Sequence, residues 1–168
     1  VFVMGNGGSA STSSHFVSDL LKTSITNESN RFKAMSLSDN IPVLLAWSND
    51  ESYENIFSNQ LENFLQKNDV VIGISGSGNS KNVLNAIQFA NKKQAITIGL
   101  SGKGGGKLSE IVKISLTIQS DDMLTIEETS PLSNGPAIEP IVVATAGTTF
   151  VKSISLTWTP GETRKDIL

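Results

Sequence analysis

The sequence predicts an α/β domain of three layers, α/β/α, with a mostly parallel sheet sandwiched between helices. Two observations point there. From residue 1 to about residue 128, short apolar runs alternate with segments of helical periodicity; strands separated by helices imply right-handed crossovers and a parallel sheet covered on both faces. In addition, two strand-to-helix corners share one design. VFVMGNGGS (1–9) and VVIGISGSGNS (70–80) each pass from an apolar run through Gly, Ser and Asn into a helical pattern.

Taken in order, VFVM (1–4) is a short apolar strand ended by glycine. Over 9–22 the apolar Phe16, Val17, Leu20 and Leu21 recur at helical spacing. RFKAMSL (31–37) reads as a second strand, and 41–49 and 53–65 read as helices whose Trp47, Tyr53 and Phe57 are packing residues. VVIGIS (70–75) is a buried strand, and 80–93 is a helix with Val83, Leu84, Ile87 and Ala90 on one face. AITIGL (95–100) is a strand, GKGGGK (102–107) a loop and VKISLTI (112–118) a further strand.

Residues 129–168 break this pattern. Pro131, Pro136, Pro140 and Pro160 fall there among many threonines, and no stretch keeps helical periodicity. The reading is an irregular tail, open between a disordered extension, a foreign sequence and a shifted reading frame. The chain also begins without Met and directly in a strand pattern, which predicts a missing N-terminal segment.

Composition narrows the function classes. A chain of 168 residues supports one well-buried domain. Its net charge of −3 offers no basic surface for nucleic acid, and no apolar run reaches the length that crosses a bilayer. The absence of cysteine excludes disulfides and thiolate metal sites and fits a cytoplasmic protein.

The two corners carry the chemistry. In a parallel sheet both emerge at the strands' carboxyl ends, where ligands of open α/β folds bind. Glycine lets backbone N–H groups approach a ligand closely, and a helix start adds orphan donors and a positive dipole end. Serine hydroxyls and asparagine amides add neutral donors, a set suited to a phosphate and a polyol. The plainer alternative is that these residues only form turns and caps. A dinucleotide site is a further alternative, because Gly5, Gly7 and Ala10 satisfy G-x-G-x-x-A. Against it, the next strand ends in Ser36-Leu37-Ser38, with Asp39 arriving late and before a helix. GKGGGKL fails as a P-loop, since Leu108 stands where Ser or Thr should follow the lysine.

GNGGSA, the HF five residues after Ala10, WSNDESYENIFSNQ, ISGSGNS, GLSGKGGGKL and SDDMLTIEE together resemble the sugar isomerase (SIS) domain. Within that family they resemble the phosphoheptose isomerases, over residues 1 to about 128 in unbroken order. The resemblance implies a flavodoxin-like sheet and an activity, interconversion of a ketose and an aldose phosphate. It implies phosphate contacts from Ser75, Gly76, Ser77 and Ser80, with Gly76 standing where threonine is common. Sugar contacts are implied for Asn6, Gly7 and Gly8, with Ser9 opening the helix behind them, and for Asn49 and Asp50. His15 matches a histidine that binds zinc in some members, Asp19 falls where a catalytic glutamate is usual, and Glu127 falls where a glutamine touches substrate and metal. The resemblance also implies a homotetramer with its pocket shared between subunits.

Such an isomerisation needs a base to move a proton between C1 and C2 and an acid to protonate oxygen while an enediol forms. His15 and Asp19, four apart, are expected on one helix face close to the glycine corner, able to relay protons or grip a metal. Two departures count against full activity. Aspartate retracts the carboxylate by one methylene relative to glutamate. Gly135 occupies the position of the family's acid histidine, in a chain whose one histidine is His15. The expectation is an impaired isomerase, with a non-catalytic sugar-phosphate-binding or regulatory SIS protein as the alternative.

Overall fold

The computed structural model describes residues 1–25, 31–102 and 104–118. Their backbone order is β1 (Phe2–Gly5), α1 (Gly8–Ser18), a π-helical turn (Asp19–Thr23), β2 (Met35–Ser36), α2 (Ile41–Asp50), a 3-10 turn (Tyr53–Asn55), α3 (Ile56–Phe64), β3 (Val70–Ser75), α4 (Lys81–Lys92), β4 (Ile96–Ser101), α5 (Gly106–Ile111) and β5 (Ile114–Thr117). The five strands form one sheet in the order β2-β1-β3-β4-β5, and every pairing is parallel. This is the flavodoxin-like order, with its topological switch point between β1 and β3. The chain leaves β1 toward one edge of the sheet and β3 toward the other, which makes their carboxyl ends the place where ligands of open α/β sheets bind.

Alternation of side chains across the strands explains the layering. Val3, Ile72, Ile74, Ile98 and Leu100 bury together with Val17 of α1 on one face. Met4, Val71, Leu61, Val83, Ile87 and Leu108 bury on the other, against α3, α4 and α5. β3 is buried along its whole length, as a central parallel strand covered on both faces must be. Gly73 and Gly99 are small because a Cβ at Gly73 would stand 2.8 Å from Val83 Cγ1, and one at Gly99 2.9 Å from Leu108 Cγ. Helices therefore pack directly onto the strand backbone. Among the described residues no helix is long and apolar enough to cross a membrane.

The structure corrects several expected elements. The strand expected over 31–37 pairs regularly only at Met35–Ser36, although Leu37 N–H still donates to the Val3 carbonyl at 2.8 Å. Beyond it the Ser38 hydroxyl replaces the ladder, accepting from Gly5 N–H at 3.3 Å and donating to the Gly5 carbonyl at 3.0 Å. The helix expected over 53–65 is a 3-10 turn followed by α3. Residues 102–107 are not wholly loop, because α5 begins at Gly106; glycine's poor helix propensity hides the start of that short helix. Trp47 packs half-buried against the core and Phe57 is fully inside it. Tyr53 is not a packing residue: its side chain is 55% exposed and its hydroxyl is engaged elsewhere. Residues 129–168 lie outside the described part of the chain.

Candidate functional site

The first corner is built by close approach. A Cβ on Gly5 would stand 2.6 Å from the Ser9 carbonyl oxygen, so α1 starts directly over the end of β1. Gly7 takes φ 56 and ψ −124 at the helix N-cap, a conformation open to glycine and strained for other residues. Its carbonyl accepts from Ala10 N–H at 3.0 Å. Ser9 is buried behind the turn, while Gly7 is exposed at its tip.

The second corner follows β3. Gly78 N–H donates to the Ser75 carbonyl at 2.8 Å, closing a turn with Gly78 at φ 64. The Ser75 hydroxyl donates to Ser80 Oγ at 3.0 Å, and Ser80, the N-cap of α4, makes no side-chain cap bond. Ser77 Oγ accepts from Asn79 N–H at 3.2 Å and is exposed. The turn from Ser75 to Ser80 is a hydroxyl-rich cup, with Ser75 buried and Ser77 exposed, beside the start of a helix of three turns, a place that favours an anion.

Pairing of β1 with β3 sets the two corners side by side at the switch point. Side chains then tie them together. Asn6 Nδ2 donates to Asn82 Oδ1 at 2.9 Å, and Asn82 Nδ2 returns a bond to Asn6 Oδ1 at 2.8 Å. Tyr53 adds a third bond, its hydroxyl donating to Asn6 Oδ1 at 2.9 Å. The turn bearing Tyr53 is itself fastened to α4. Lys81 Nζ lies 2.8 Å from Glu54 Oε1, a partner that raises the Lys81 ammonium above its ordinary pKa by hydrogen bonding and by charge. Asn85 Nδ2 donates to the Glu54 carbonyl at 3.1 Å. From sequence Asn82 is not singled out, and Tyr53 reads only as a packing residue. The signal available was the polar SYEN turn and an Asn two residues after the second serine loop.

The glycine-rich third loop supports the second corner. Leu108 N–H donates to the Gly78 carbonyl at 2.9 Å and Gly102 N–H to the Gly76 carbonyl at 2.9 Å. Lys107 N–H donates to Asn79 Oδ1 at 3.2 Å. GKGGGKL is thus a backbone buttress.

The remaining expected residues are spread out. Asn49 and Asp50 end α2, exposed, with Asn49 Nδ2 donating to Asp50 Oδ1 at 2.8 Å. His15 and Asp19 do share a face, with His15 Nε2 3.8 Å from Asp19 Oδ2, but they are not close to the glycine corner. α1 has 11 residues between Gly8 and Ser18, so Asp19 sits about 16 Å along the helix from Gly8. Asp19 Oδ1 also accepts from Thr23 Oγ1 at 2.9 Å within the π-helical turn. The pair supplies two donors of the kind zinc takes, and a catalytic zinc takes three protein ligands. Among the described residues no group of three such side chains converges, and Glu127 lies outside them. The dinucleotide alternative loses its acidic anchor: Asp39 Oδ1 accepts from Ser36 at 3.1 Å and also from the Ser14 hydroxyl.

With this geometry in place, residues 1–102 match the family model described as the SIS domain. The chain belongs to the SIS domain family. This SIS chain is 41% identical over 128 residues to the phosphoheptose isomerase of Geotalea daltonii and 42% identical over 128 residues to that of Helicobacter pylori strain ATCC 700392 / 26695. Each match covers 76% of the chain but 66% of the relative, so the chain spans just under two thirds of these relatives' length. Solved structures agree. A phosphoheptose isomerase from Francisella tularensis superposes with a TM-score of 0.71 at 30% identity, covering 76% of this SIS chain and 68% of the other. One from Neisseria gonorrhoeae gives 0.68 at 30% identity, with the same coverage.

Proposed function

We propose that this SIS chain acts on a phosphorylated sugar as a ketose–aldose isomerase of the phosphoheptose type, converting sedoheptulose 7-phosphate to the corresponding heptose 7-phosphate in the cytoplasm. The observation that carries the proposal is the pair of corners abutting at the switch point, one rich in hydroxyls and one in backbone and amide donors, in a chain whose relatives bear that name. Phosphate is assigned to Ser75, Gly76, Ser77, Ser80 and the first turn of α4. The sugar is assigned to Asn6, Gly7, Gly8 and Ser9, with Asn49 and Asp50 at the margin.

In this reaction Asp19 takes a proton from C1 while the C2 carbonyl oxygen gains one, forming the enediol. Returning a proton to C2 as the C1 hydroxyl loses its own gives the aldehyde. Asp19 stands far down α1 from its own corner, so we assign it to sugar held by a second copy of the chain. Self-association is part of the proposal and is supported by α2, whose Leu45 is 65% exposed and Ile41 56%. Zinc, when bound through His15, Asp19 and Glu127, would polarise the sugar's carbonyl oxygen.

The deciding experiment follows aldose formation from sedoheptulose 7-phosphate by the full chain and by Asp19→Ala. Turnover that Asp19→Ala abolishes supports the isomerase. The distance of Asp19 from the corner favours one second reading, a sugar-phosphate-binding protein without catalysis. Saturable binding with no turnover at any protein concentration would select it.

A further inference from the structure

We infer that Asn82 is a positioning residue that fixes the orientation of the Asn6 amide, so that Asn6 presents the sugar with a single N–H donor and no acceptor. The inference rests on the sugar-phosphate reading and deepens it. An asparagine side chain can be turned over without changing its shape, exchanging oxygen for nitrogen, so its orientation must come from a neighbour that cannot do the same. Here that neighbour is a backbone group. Val83 N–H lies in the first turn of α4, where no carbonyl of the helix can reach it, and it donates to Asn82 Oδ1 at 2.9 Å. A turned Asn82 would set N–H against N–H in a place where its side chain is 2% exposed.

Polarity then passes outward without ambiguity. Asn82 Nδ2 must donate to Asn6 Oδ1, and Asn6 Nδ2 must donate to Asn82 Oδ1. The Tyr53 hydroxyl takes the second lone pair of Asn6 Oδ1. Asn6 oxygen is thereby saturated, one of its two N–H groups is used, and the other remains. We assign that N–H to the sugar, because Asn6 is only partly buried where its bonds join the two corners. It suits an oxygen acceptor such as a hydroxyl or carbonyl of a sugar and disfavours an amine or ammonium at the same spot. The bonds span 76 positions of sequence, so the same pair also ties the sugar corner to the phosphate corner.

The test titrates the full chain and its variants with sedoheptulose 7-phosphate and, separately, with inorganic phosphate. Asn82→Asp keeps the acceptor for Val83 N–H but sets an oxygen against Asn6 Oδ1. It should weaken the sugar phosphate about tenfold, the effect of one lost hydrogen bond, and leave inorganic phosphate within about threefold. In an Asn6→Ala background the same change should cost nothing further, because Asn82 acts through Asn6. Wild-type affinity in Asn82→Asp, an equal loss for both ligands, or an undiminished loss in the Asn6→Ala background would each overturn the inference. Should Asn82→Asp fail to fold, Asn82→Ser decides: its shorter side chain no longer reaches Asn6, and it should weaken the sugar phosphate but not inorganic phosphate, whereas unchanged affinity for the sugar phosphate would overturn the inference. A wild-type chain that binds neither ligand would instead overturn the sugar-phosphate reading itself.

Discussion

Gly78 and Gly105 meet backbone to backbone: a Cβ on Gly78 would stand 2.0 Å from the Gly105 carbonyl oxygen. The contact is reciprocated one residue on, where a Cβ on Gly106 would stand 2.5 Å from the Ser77 carbonyl oxygen. With Gly78 also at φ 64, the serine corner keeps its shape only while both loops lack side chains. Gly78→Ala is expected to destabilise the domain by at least about 2 kcal/mol, from the left-handed backbone and the clash together. Urea unfolding followed by circular dichroism measures it. A midpoint equal to that of the wild type would show that the buttress yields freely.

The hydroxyl cup gives a second expectation. Ser77 is exposed and, among the described residues, its Oγ accepts only from a loop N–H, so Ser77→Ala should leave stability within about 0.5 kcal/mol. Its affinity for inorganic phosphate should fall about three- to tenfold, and Ser80→Ala should lose affinity to a similar degree. Isothermal titration reads both. NAD should not bind either the wild type or Ser77→Ala, because Asp39 is held by serine hydroxyls. Measurable NAD binding would revive the dinucleotide alternative.

Much of this architecture was legible because it is written locally. Period and composition reveal the strands Val70–Ser75 and Ile96–Ser101 and the helix Lys81–Lys92, and the glycine corners announce close backbone approach. What escaped is what depends on contacts distant in sequence. Tyr53 looks like any aromatic of an amphipathic helix until the fold carries Asn6, 47 positions away, to its hydroxyl. Three consecutive glycines conceal α5 because local propensity opposes a helix that tertiary bonds to Gly78 hold in place. Spacing does report that His15 and Asp19 share one helix face. Their separation from the corner follows from the length of α1, which spacing within the pair does not report.

That separation leads to a third expectation. If Asp19 serves the sugar of a neighbouring copy, Asp19→Ala removes the base from one half of a shared site and, at subsaturating substrate, Ser77→Ala slows the other half by its weaker hold on phosphate. General-base loss should reduce turnover by roughly a hundred- to ten-thousand-fold in Asp19→Ala. Mixing the two variants under conditions that allow subunits to exchange should restore a substantial part of the wild-type rate, since some assemblies then contain an intact pair. A mixture no faster than the average of its components would place base and phosphate in one chain.

The last expectation concerns the surface that would make such sharing possible. α2 has no fully buried residue, yet its sequence is IPVLLAWSND. Leu44 and Trp47 turn inward against the core, which leaves Ile41 and Leu45 directed outward. Exposed leucine and isoleucine on adjacent turns cost solubility unless another surface covers them, and burying each would contribute about 1.5–3 kcal/mol. Light scattering should therefore give the wild type a mass above the 17.9 kDa of a single chain. Leu45→Glu should shift it to that value, with a far-ultraviolet spectrum unchanged because the side chain supports nothing in its own core. Complementation between Asp19→Ala and Ser77→Ala should vanish in the same Leu45→Glu background. A Leu45→Glu chain that still assembles and still complements would move the contact away from α2, while a wild type that sediments as a monomer would remove the shared site altogether.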